Sequence, residues 1–175
     1  MTSTLVLTLI GRDQPGLVRL VAATIAEHGG NWLESRLCRL GGEFAGIVRL
    51  EIETTRADVL SVALRNLSGL RVDITREGAA SLSAGQATAQ MAALDLVGSD
   101  RPGILREVSA VLANHGLNVE DMASERIEAP MGGGLLFQLR AVVSVPPSAV
   151  LAAVQADLEK LAADLMVELK LEAKR

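Results

Sequence analysis

The sequence contains two similar stretches, GRDQPGLVRLVAATIAEHGGN at residues 11–31 and GSDRPGILREVSAVLANHGLN at residues 98–118. They align without a gap over 21 residues at an offset of 87 positions, and eleven of the aligned positions are identical. Ungapped self-similarity at a fixed offset is typical of a duplicated structural unit. The chain of 175 residues is therefore predicted to hold two units of about 85 residues each.

The composition changes between the two units. The segment AASLSAGQATAQ, residues 79–90, consists of small and polar residues, which favours a flexible connection. We therefore predict a first domain at residues 1–78, a linker at 79–90 and a second domain at 91–175.

Each unit begins with a strand pattern followed by a helix pattern. Leu5, Leu7 and Leu9 alternate with other residues, and Leu94 and Leu96 repeat this two-residue period in the second unit. Apolar positions then recur at helical spacing and form one stripe in each unit. The stripes consist of Leu17, Leu20, Val21, Thr24 and Ile25 in the first unit, and of Ile104, Glu107, Val108, Val111 and Leu112 in the second, with Glu107 at the edge.

The rest of each unit is predicted to form a hairpin, a second helix and a closing strand. Gly41-Gly42 suits a two-residue hairpin turn, and residues 131–134 a longer one. The order βαββαβ, found twice, predicts an α+β fold: two ferredoxin-like domains, each a four-stranded antiparallel sheet with two helices on one face. In the first unit the predicted strands are residues 31–40 and 44–53 and the predicted second helix is 58–66, with an apolar stripe of Val59, Val62, Ala63 and Leu67. In the second unit the corresponding strands are 118–128 and 135–145 and the second helix is 148–162. A last strand follows, with Leu165, Val167, Leu169 and Leu171 on one side.

Composition and charge exclude several classes of function. The net charge is −4, the isoelectric point is near 5.2, and the aromatic residues are two Phe and one Trp, so direct binding to nucleic acid is not expected. The apolar run at residues 5–10 is too short to span a bilayer. One cysteine, Cys38, allows no internal disulfide and fits a reducing compartment. We therefore expect a soluble, cytoplasmic protein that does not enter a membrane.

The duplicated Gly-x-Asp-x-Pro-Gly turn, the His-Gly-x-Asn exit and the βαββαβ order resemble a tandem pair of ACT domains. The arrangement is similar, over nearly the whole chain, to the glycine cleavage system transcriptional repressor family. The resemblance implies a non-catalytic regulator without a cofactor, which binds a small amino acid effector between ACT units, self-associates and acts on a protein partner such as a transcription regulator. The matching effector-binding positions are Asp13, Gln14, Pro15, Gly16, Leu17 and Asn31, and Asp100, Arg101, Pro102, Gly103, Ile104 and Asn118.

The chemistry of these positions agrees with an amino acid ligand. The first turn of a helix leaves backbone N–H groups unpaired and carries partial positive charge, which suits a carboxylate. Gly16 and Gly103 would let a ligand approach the backbone closely. Asn31 and Asn118 offer both a donor and an acceptor. We therefore expect the turn and the asparagine, lying close together, to form a pocket for a zwitterion.

Each turn residue also has a purely structural interpretation. Asp13 and Asp100 are suited to capping the amides that follow them, and a negative side chain would repel an effector carboxylate. Pro15 and Pro102 suit a first helical turn, where the missing N–H costs nothing. Both interpretations remain open from the sequence.

The remaining candidate groups favour structural roles. His28 and His115 each lie in a last helical turn, where a cation is favoured, and lack partners at metal-ligand spacing. Glu120 and Asp121 are neighbours in a predicted strand, so they are expected on opposite faces and not around a shared ion. Gly132–Gly134 is typical of a hairpin tip, and Cys38 of a packing residue in a strand.

Two functions of different classes follow from these observations. The first is a regulator that binds an amino acid, with glycine or serine as first candidates, and controls a partner, by indirect transcriptional repression in the repressor-like case. The second is a structural or assembly module that pairs through its ACT domains and binds no ligand. An enzyme is not expected, because the sequence shows no nucleophile and base pair and no metal cluster.

Overall fold

A computed structural model of the chain describes residues 1–78, 90–130 and 133–173. The chain divides into two compact units, Met1–Ala84 and Gly85–Arg175, here called unit 1 and unit 2. The predicted linker at 79–90 lies outside the described residues except for Gln90, which is the first residue of a strand. The domain boundaries therefore stay a prediction.

Both units have the same order of elements. Unit 1 consists of β1 (Thr2–Arg12), α1 (Leu17–Glu27), β2 (Asn31–Leu40), β3 (Glu43–Glu53), a 3-10 turn (Thr54–Arg56), α2 (Ala57–Arg65) and β4 (Arg71–Arg76). Unit 2 consists of β5 (Gln90–Ser99), α3 (Ile104–Asn114), β6 (Asn118–Glu128), β7 (Leu135–Val145), α4 (Leu151–Leu165) and β8 (Val167–Ala173).

Each unit contains one four-stranded sheet in which all neighbouring strands are antiparallel. The strand order is β2-β3-β1-β4 in unit 1 and β6-β7-β5-β8 in unit 2. The first strand of each unit is therefore central, and the second strand is an edge. This arrangement confirms the predicted α+β fold with two βαββαβ units.

The core of each unit lies between one face of the sheet and the two helices. Leu5, Leu7 and Leu9 of β1 are buried in one cluster with Val21 of α1 and Leu60 of α2. A second cluster with the same organisation fills unit 2. Burying one such side chain contributes about 1.5–3 kcal/mol before the entropy cost of ordering it. The leucines alternate in the sequence because only one face of the sheet is buried.

The stripe predicted for the second helix of unit 1 is wrong at Val59 and Val62, whereas Leu67 packs against the core as predicted. Val59 and Val62 are 62% and 58% exposed, whereas Leu60 and Leu64 are fully buried. Helix α2 carries apolar residues on both faces, so that helical spacing alone fits either one. The core takes the two leucines, which remove more apolar surface from water.

The second helix of unit 2 lies about three residues later than predicted. Helix α4 spans Leu151–Leu165, so Leu165 ends the helix and does not belong to the last strand. The Ala149 amide donates to the Pro146 carbonyl at 2.9 Å. This bond closes a turn over the residues that follow β7, and the turn delays the start of the helix.

The hairpin of unit 1 has the predicted two-residue turn. Leu40 pairs with Glu43, and the residues between them, Gly41 and Gly42, have φ values of 61° and 86°. Two positive φ values in succession define a type I′ turn, which glycine adopts without strain. In the corresponding hairpin of unit 2, residues 131 and 132 lie outside the described part of the chain.

A β-bulge interrupts the second strand of both units at the same place. The pairing of β2 with β3 shifts between Trp32 and Glu34, and that of β6 with β7 between Val119 and Asp121. The extra residues are Leu33 and Glu120, each two positions after the asparagine that opens the strand. A bulge changes the direction in which nearby side chains point, so this one affects the surroundings of the candidate asparagine.

Candidate functional site

The turn between the first strand and the first helix ends on glycine in both units. Gly16 has φ 97° and ψ −2°, and Gly103 has φ 99° and ψ −9°. These angles are those of the third residue of a type II turn, which needs glycine because other side chains are strained there. The helices begin one residue later, so Pro15 and Pro102 lie in the turn and not, as predicted, inside the helix.

The start of each helix carries backbone amides that suit an anion. The Leu20 amide donates to the Gly16 carbonyl at 2.9 Å, and the Glu107 amide to the Gly103 carbonyl at 3.0 Å. The amides that precede these donors have no carbonyl of an earlier helical turn to bond. Neither helix has a side-chain cap among the described residues. These amides lie at the positive end of the helix dipole.

Asp13 and Asp100 do not cap the helices, so the capping interpretation is wrong. The Asp13 Oδ2 atom lies 2.8 Å from Arg39 Nε, and the Asp100 Oδ2 atom lies 3.6 Å from Arg126 Nη1. Arg39 and Arg126 are themselves 87 positions apart, so the ion pair belongs to the duplication. Each aspartate thus ties the turn to the second strand of its own unit.

The two turns differ in how open they are. A β carbon built on Gly16 would meet no atom of the described residues within 4 Å. One built on Gly103 would lie 3.7 Å from both Arg106 Nη2 and Glu107 Oε1. Arg101 Nη2 also lies 4.0 Å from the Glu107 carboxylate. The turn of unit 1 is therefore open, and charged side chains partly cover the turn of unit 2.

Three other predicted positions have side chains turned away from the turn's surface. The Gln14 amide nitrogen lies 2.9 Å from where a β carbon on Gly69 would stand, so it packs against the connection before β4. Leu17 and Ile104 are 4% and 2% exposed and belong to the cores. These two residues could serve a ligand through their backbone amides alone.

Within one unit, the asparagine lies at the opposite end of the sheet from the turn. Asn31 pairs with Glu51, which in turn pairs with Thr4, and β1 runs eight more residues to its end at Arg12. At about 3.3 Å per residue this separation is about 26 Å. The register of unit 2 is the same, with Asn118 level with Met91 and β5 ending eight residues later at Ser99. The expectation that turn and asparagine lie close together is wrong within either unit.

Asn118 takes part in a polar cluster at the bulge. The Asn118 amide nitrogen donates to Glu120 Oε1 at 2.9 Å, and the Ser144 hydroxyl donates to the same oxygen at 2.6 Å. In unit 1 the bulge residue is a leucine, and the residue opposite Asn31 is Glu51. Among the described residues, no hydrogen bond joins the Asn31 side chain to another side chain. The two asparagines therefore have different surroundings.

The two histidines have structural partners at the helix ends. His28 Nδ1 donates to the Thr24 carbonyl at 2.8 Å, and His115 Nε2 lies 2.8 Å from the Asp157 carboxylate of α4. Cys38 is exposed, so its interpretation as a packing residue is wrong. It lies on an edge strand, on the sheet face that no helix covers.

No group of three or more potential ligands for a metal ion occurs within residues 1–78, 90–130 and 133–173. In the same ranges, no helix combines the length and apolar content needed to cross a bilayer.

The helix-free face of unit 1 has a shallow depression that the sequence analysis did not find. Its volume is about 520 Å³, and Val6 and Ile47 form its apolar part. Arg49 lies at its rim and is bonded through Nε to Glu77 at 3.0 Å, with Glu34 3.4 Å from Nη1. The hydrogen bond to Glu77 raises the pKa of Arg49.

Two further differences between the units could have been found by aligning the repeats. Leu20 and Leu33 of unit 1 correspond to Glu107 and Glu120 of unit 2, at the offset of 87. Leucine at both positions is partly exposed, at 37% and 43%. Unit 2 thus has a carboxylate at the start of the helix and another at the bulge, where unit 1 has leucine.

Comparison with known proteins agrees with this geometry. Residues 3–75 and residues 93–163 each match the ACT domain family. The crystal structure of an unknown protein from Galdieria sulphuraria is 26% identical, with a TM-score of 0.89 over 100% of both chains. A protein named provisionally as a glycine cleavage system transcriptional repressor is 20% identical, with a TM-score of 0.72 over 100% of this chain and 99% of its own. The sequence has no match among curated proteins. The chain belongs to the ACT-domain family and is built from two ACT domains in tandem.

Proposed function

We propose that this chain is a non-catalytic regulator that binds a small amino acid, with glycine and serine as first candidates, at interfaces between ACT domains. The observation that carries the proposal is the open turn at Gly16, followed by the amides of α1 that no side chain caps among the described residues. A ligand carboxylate at this turn would gain about 0.3–1 kcal/mol from the helix dipole, in addition to its hydrogen bonds. The turn of unit 2 is the weaker candidate, because Glu107 already brings a negative charge to it.

A complete site needs two ACT units. The turn and the asparagine of one unit are about 26 Å apart along the sheet, much farther than a small amino acid reaches. A site that uses both groups takes the turn from one unit and the asparagine from another. The effector then stabilises one arrangement of ACT units over the others, which is the condition for regulation.

The regulated target is proposed to be a protein, such as a transcription regulator, and the effect on transcription to be indirect. The chain is acidic and poor in aromatic residues, which does not favour direct contact with nucleic acid. The name of the 20% identical structure is consistent with this role, although that likeness establishes the fold alone. A gel-shift assay in which the purified chain binds DNA tightly and in a salt-sensitive way would contradict indirect action.

The proposal is tested by calorimetry and thermal melting of the full chain with each of the twenty amino acids. At least one should bind, and Asn31→Ala and Asn118→Ala should weaken it. Asn66→Ala, at an exposed position after α2, is the matched control and should bind as the wild type does. Absence of heat and of stabilisation for all twenty amino acids would reject an amino acid regulator.

The alternative is a structural or assembly module. Its supporting observation is the covered turn of unit 2, where Arg106 and Glu107 occupy the space near Gly103. Small domains bury only about 60% of their unfolded surface, so pairing is expected under either function. Sedimentation that gives the same assembly with and without amino acids, unchanged in Asn31→Ala and Asn118→Ala, would favour this alternative.

A further inference from the structure

An arginine of the second strand lies beside the turn in both units. Arg39 pairs with Phe44 of β3, which pairs with Gly11 of β1, so the arginine is level with the residues that lead into the turn. Directly opposed residues of two strands point to the same face of a sheet, and Phe44 is buried in the core. Arg39 therefore lies on the face that the helices cover, at the end of the sheet where the turn lies. Arg126 has the same register with Phe137 in unit 2.

This arginine is shared by two strands that otherwise differ. Residues 32–40 and 119–127 align at the offset of 87 positions, and Arg39 and Arg126 are the single identical pair among these nine positions. Their partners in the turns, Asp13 and Asp100, are identical as well. The two units therefore share both members of the ion pair, although the rest of the second strand has diverged.

The fold does not need the ion pair to hold the turn on the hairpin. The Asp13 amide donates to the Gly42 carbonyl, and the Asp100 amide donates to the Leu135 carbonyl, both at 2.9 Å. These main-chain bonds form although the tip of the hairpin has two residues in unit 1 and six in unit 2. The arginine side chains are 71% and 63% exposed, and ion pairs that exposed contribute little to stability. Stability therefore does not explain why both units have the pair.

The guanidinium group has the chemistry that binds a carboxylate. It carries a permanent positive charge and five N–H donors in a planar fork. A carboxylate accepts two parallel N–H bonds from such a fork, so an aspartate leaves donors for a second carboxylate. Arg39 Nε lies 2.8 Å from Asp13 Oδ2, and Arg126 Nη1 lies 3.6 Å from Asp100 Oδ2. Each arginine also offsets the negative charge of its aspartate, which would otherwise repel an anionic ligand.

We infer that Arg39 and Arg126 bind the carboxylate of the effector, and that Asp13 and Asp100 position the two guanidinium groups for it. The inference rests on the proposed function, in which the effector carboxylate lies at the turn, and it adds the side chain that selects this carboxylate. Charge-assisted hydrogen bonds are stronger than neutral ones, so these arginines set a preference for amino acids over analogues without a carboxylate.

The test compares amino acids with their amides, in which a neutral amide group replaces the carboxylate. Glycine and glycinamide, and serine and serinamide, are titrated calorimetrically into the full chain and into the Arg39→Gln, Arg126→Gln and double glutamine variants. A double variant with lysine at both positions keeps the charges but not the planar fork. Arg76→Gln is the matched control, because Arg76 forms an exposed ion pair with Asp58 and is level with Leu5, away from the turn.

The wild type and Arg76→Gln should prefer the amino acid over its amide. The double glutamine variant should lose about ten- to hundredfold of that preference with little change in Tm, and the double lysine variant should keep part of it. A double glutamine variant with the wild-type preference would overturn the inference and leave the proposed function intact.

A second comparison separates direct binding from the neutralisation of the aspartates. If adding Asp13→Asn and Asp100→Asn to the double glutamine variant restored the preference, the arginines would act only by offsetting the aspartates, and the inference would be overturned. A wild type that binds neither glycine nor serine would overturn the inference for these ligands, and only a negative result with all twenty amino acids would reject the proposed function as well.

Discussion

Replacing Gly16 with alanine should destabilise unit 1 by about 1–2 kcal/mol, although the new methyl group has room. The backbone at Gly16 has φ 97°, a conformation in which an L side chain is strained. A β carbon there would meet no atom of the described residues within 4 Å, so packing adds no further cost. For a domain of this size, 1 kcal/mol shifts Tm by about 4–8 °C, and the expected decrease is therefore about 4–16 °C.

The matched control is Gly78→Ala, because a β carbon on Gly78 also meets no described atom within 4 Å and its backbone lies outside the left-handed region. This variant should be neutral or more stable by up to about 1 kcal/mol, since alanine reduces the freedom of the unfolded chain. Urea titrations followed by circular dichroism measure both variants. Equal stability of Gly16→Ala and the wild type would refute the type II turn, and equal losses in the two variants would refute a cost specific to position 16.

Three further outcomes follow from burial and pairing. Leu7→Ala should cost about 2–5 kcal/mol in a urea titration, because Leu7 is fully buried in the core of unit 1, and a loss under about 1 kcal/mol would contradict that packing. Arg39→Ala and Arg126→Ala should each cost less than about 1 kcal/mol in the same assay, since their ion pairs with aspartate are largely exposed, and a larger loss would mean that the pair holds the turn in place. Cys38 should react with a thiol reagent in the native protein as fast as in urea, whereas protection in the native state would place it inside an assembly.

The fold was predictable from the sequence because its signals are local and repeated. Leu5, Leu7 and Leu9 set the period of a half-buried strand, and the ungapped repeat from residue 98 shows that the same unit recurs. The prediction failed where two faces of one helix are equally apolar. Val59 and Leu60 of α2 both satisfy helical spacing, and only the packing against the sheet decides which one is buried.

The candidate site was less predictable because its geometry depends on contacts between distant residues. Asp13 has the spacing of a capping residue, but the hairpin brings Arg39 to it, and the ion pair replaces the cap. Pro15 and Asn31 are only sixteen residues apart in the chain, but helix α1 lies between them and runs back along the sheet. The two residues therefore lie at opposite ends of the sheet. The bulge that brings Glu120 to Asn118 has no signal in the period of the strand.

The bulge at Leu33 and Glu120 also indicates that the bulge arose before the two units were duplicated. An extra residue at the same place in both units is most simply inherited from one single-unit ancestor, whose gene then duplicated. In that ancestor every copy of the unit had the same sequence, so a mutation at this position altered all copies at once. Once two copies were joined in one gene, each could change by itself, and the bulge position now carries leucine in unit 1 and glutamate in unit 2.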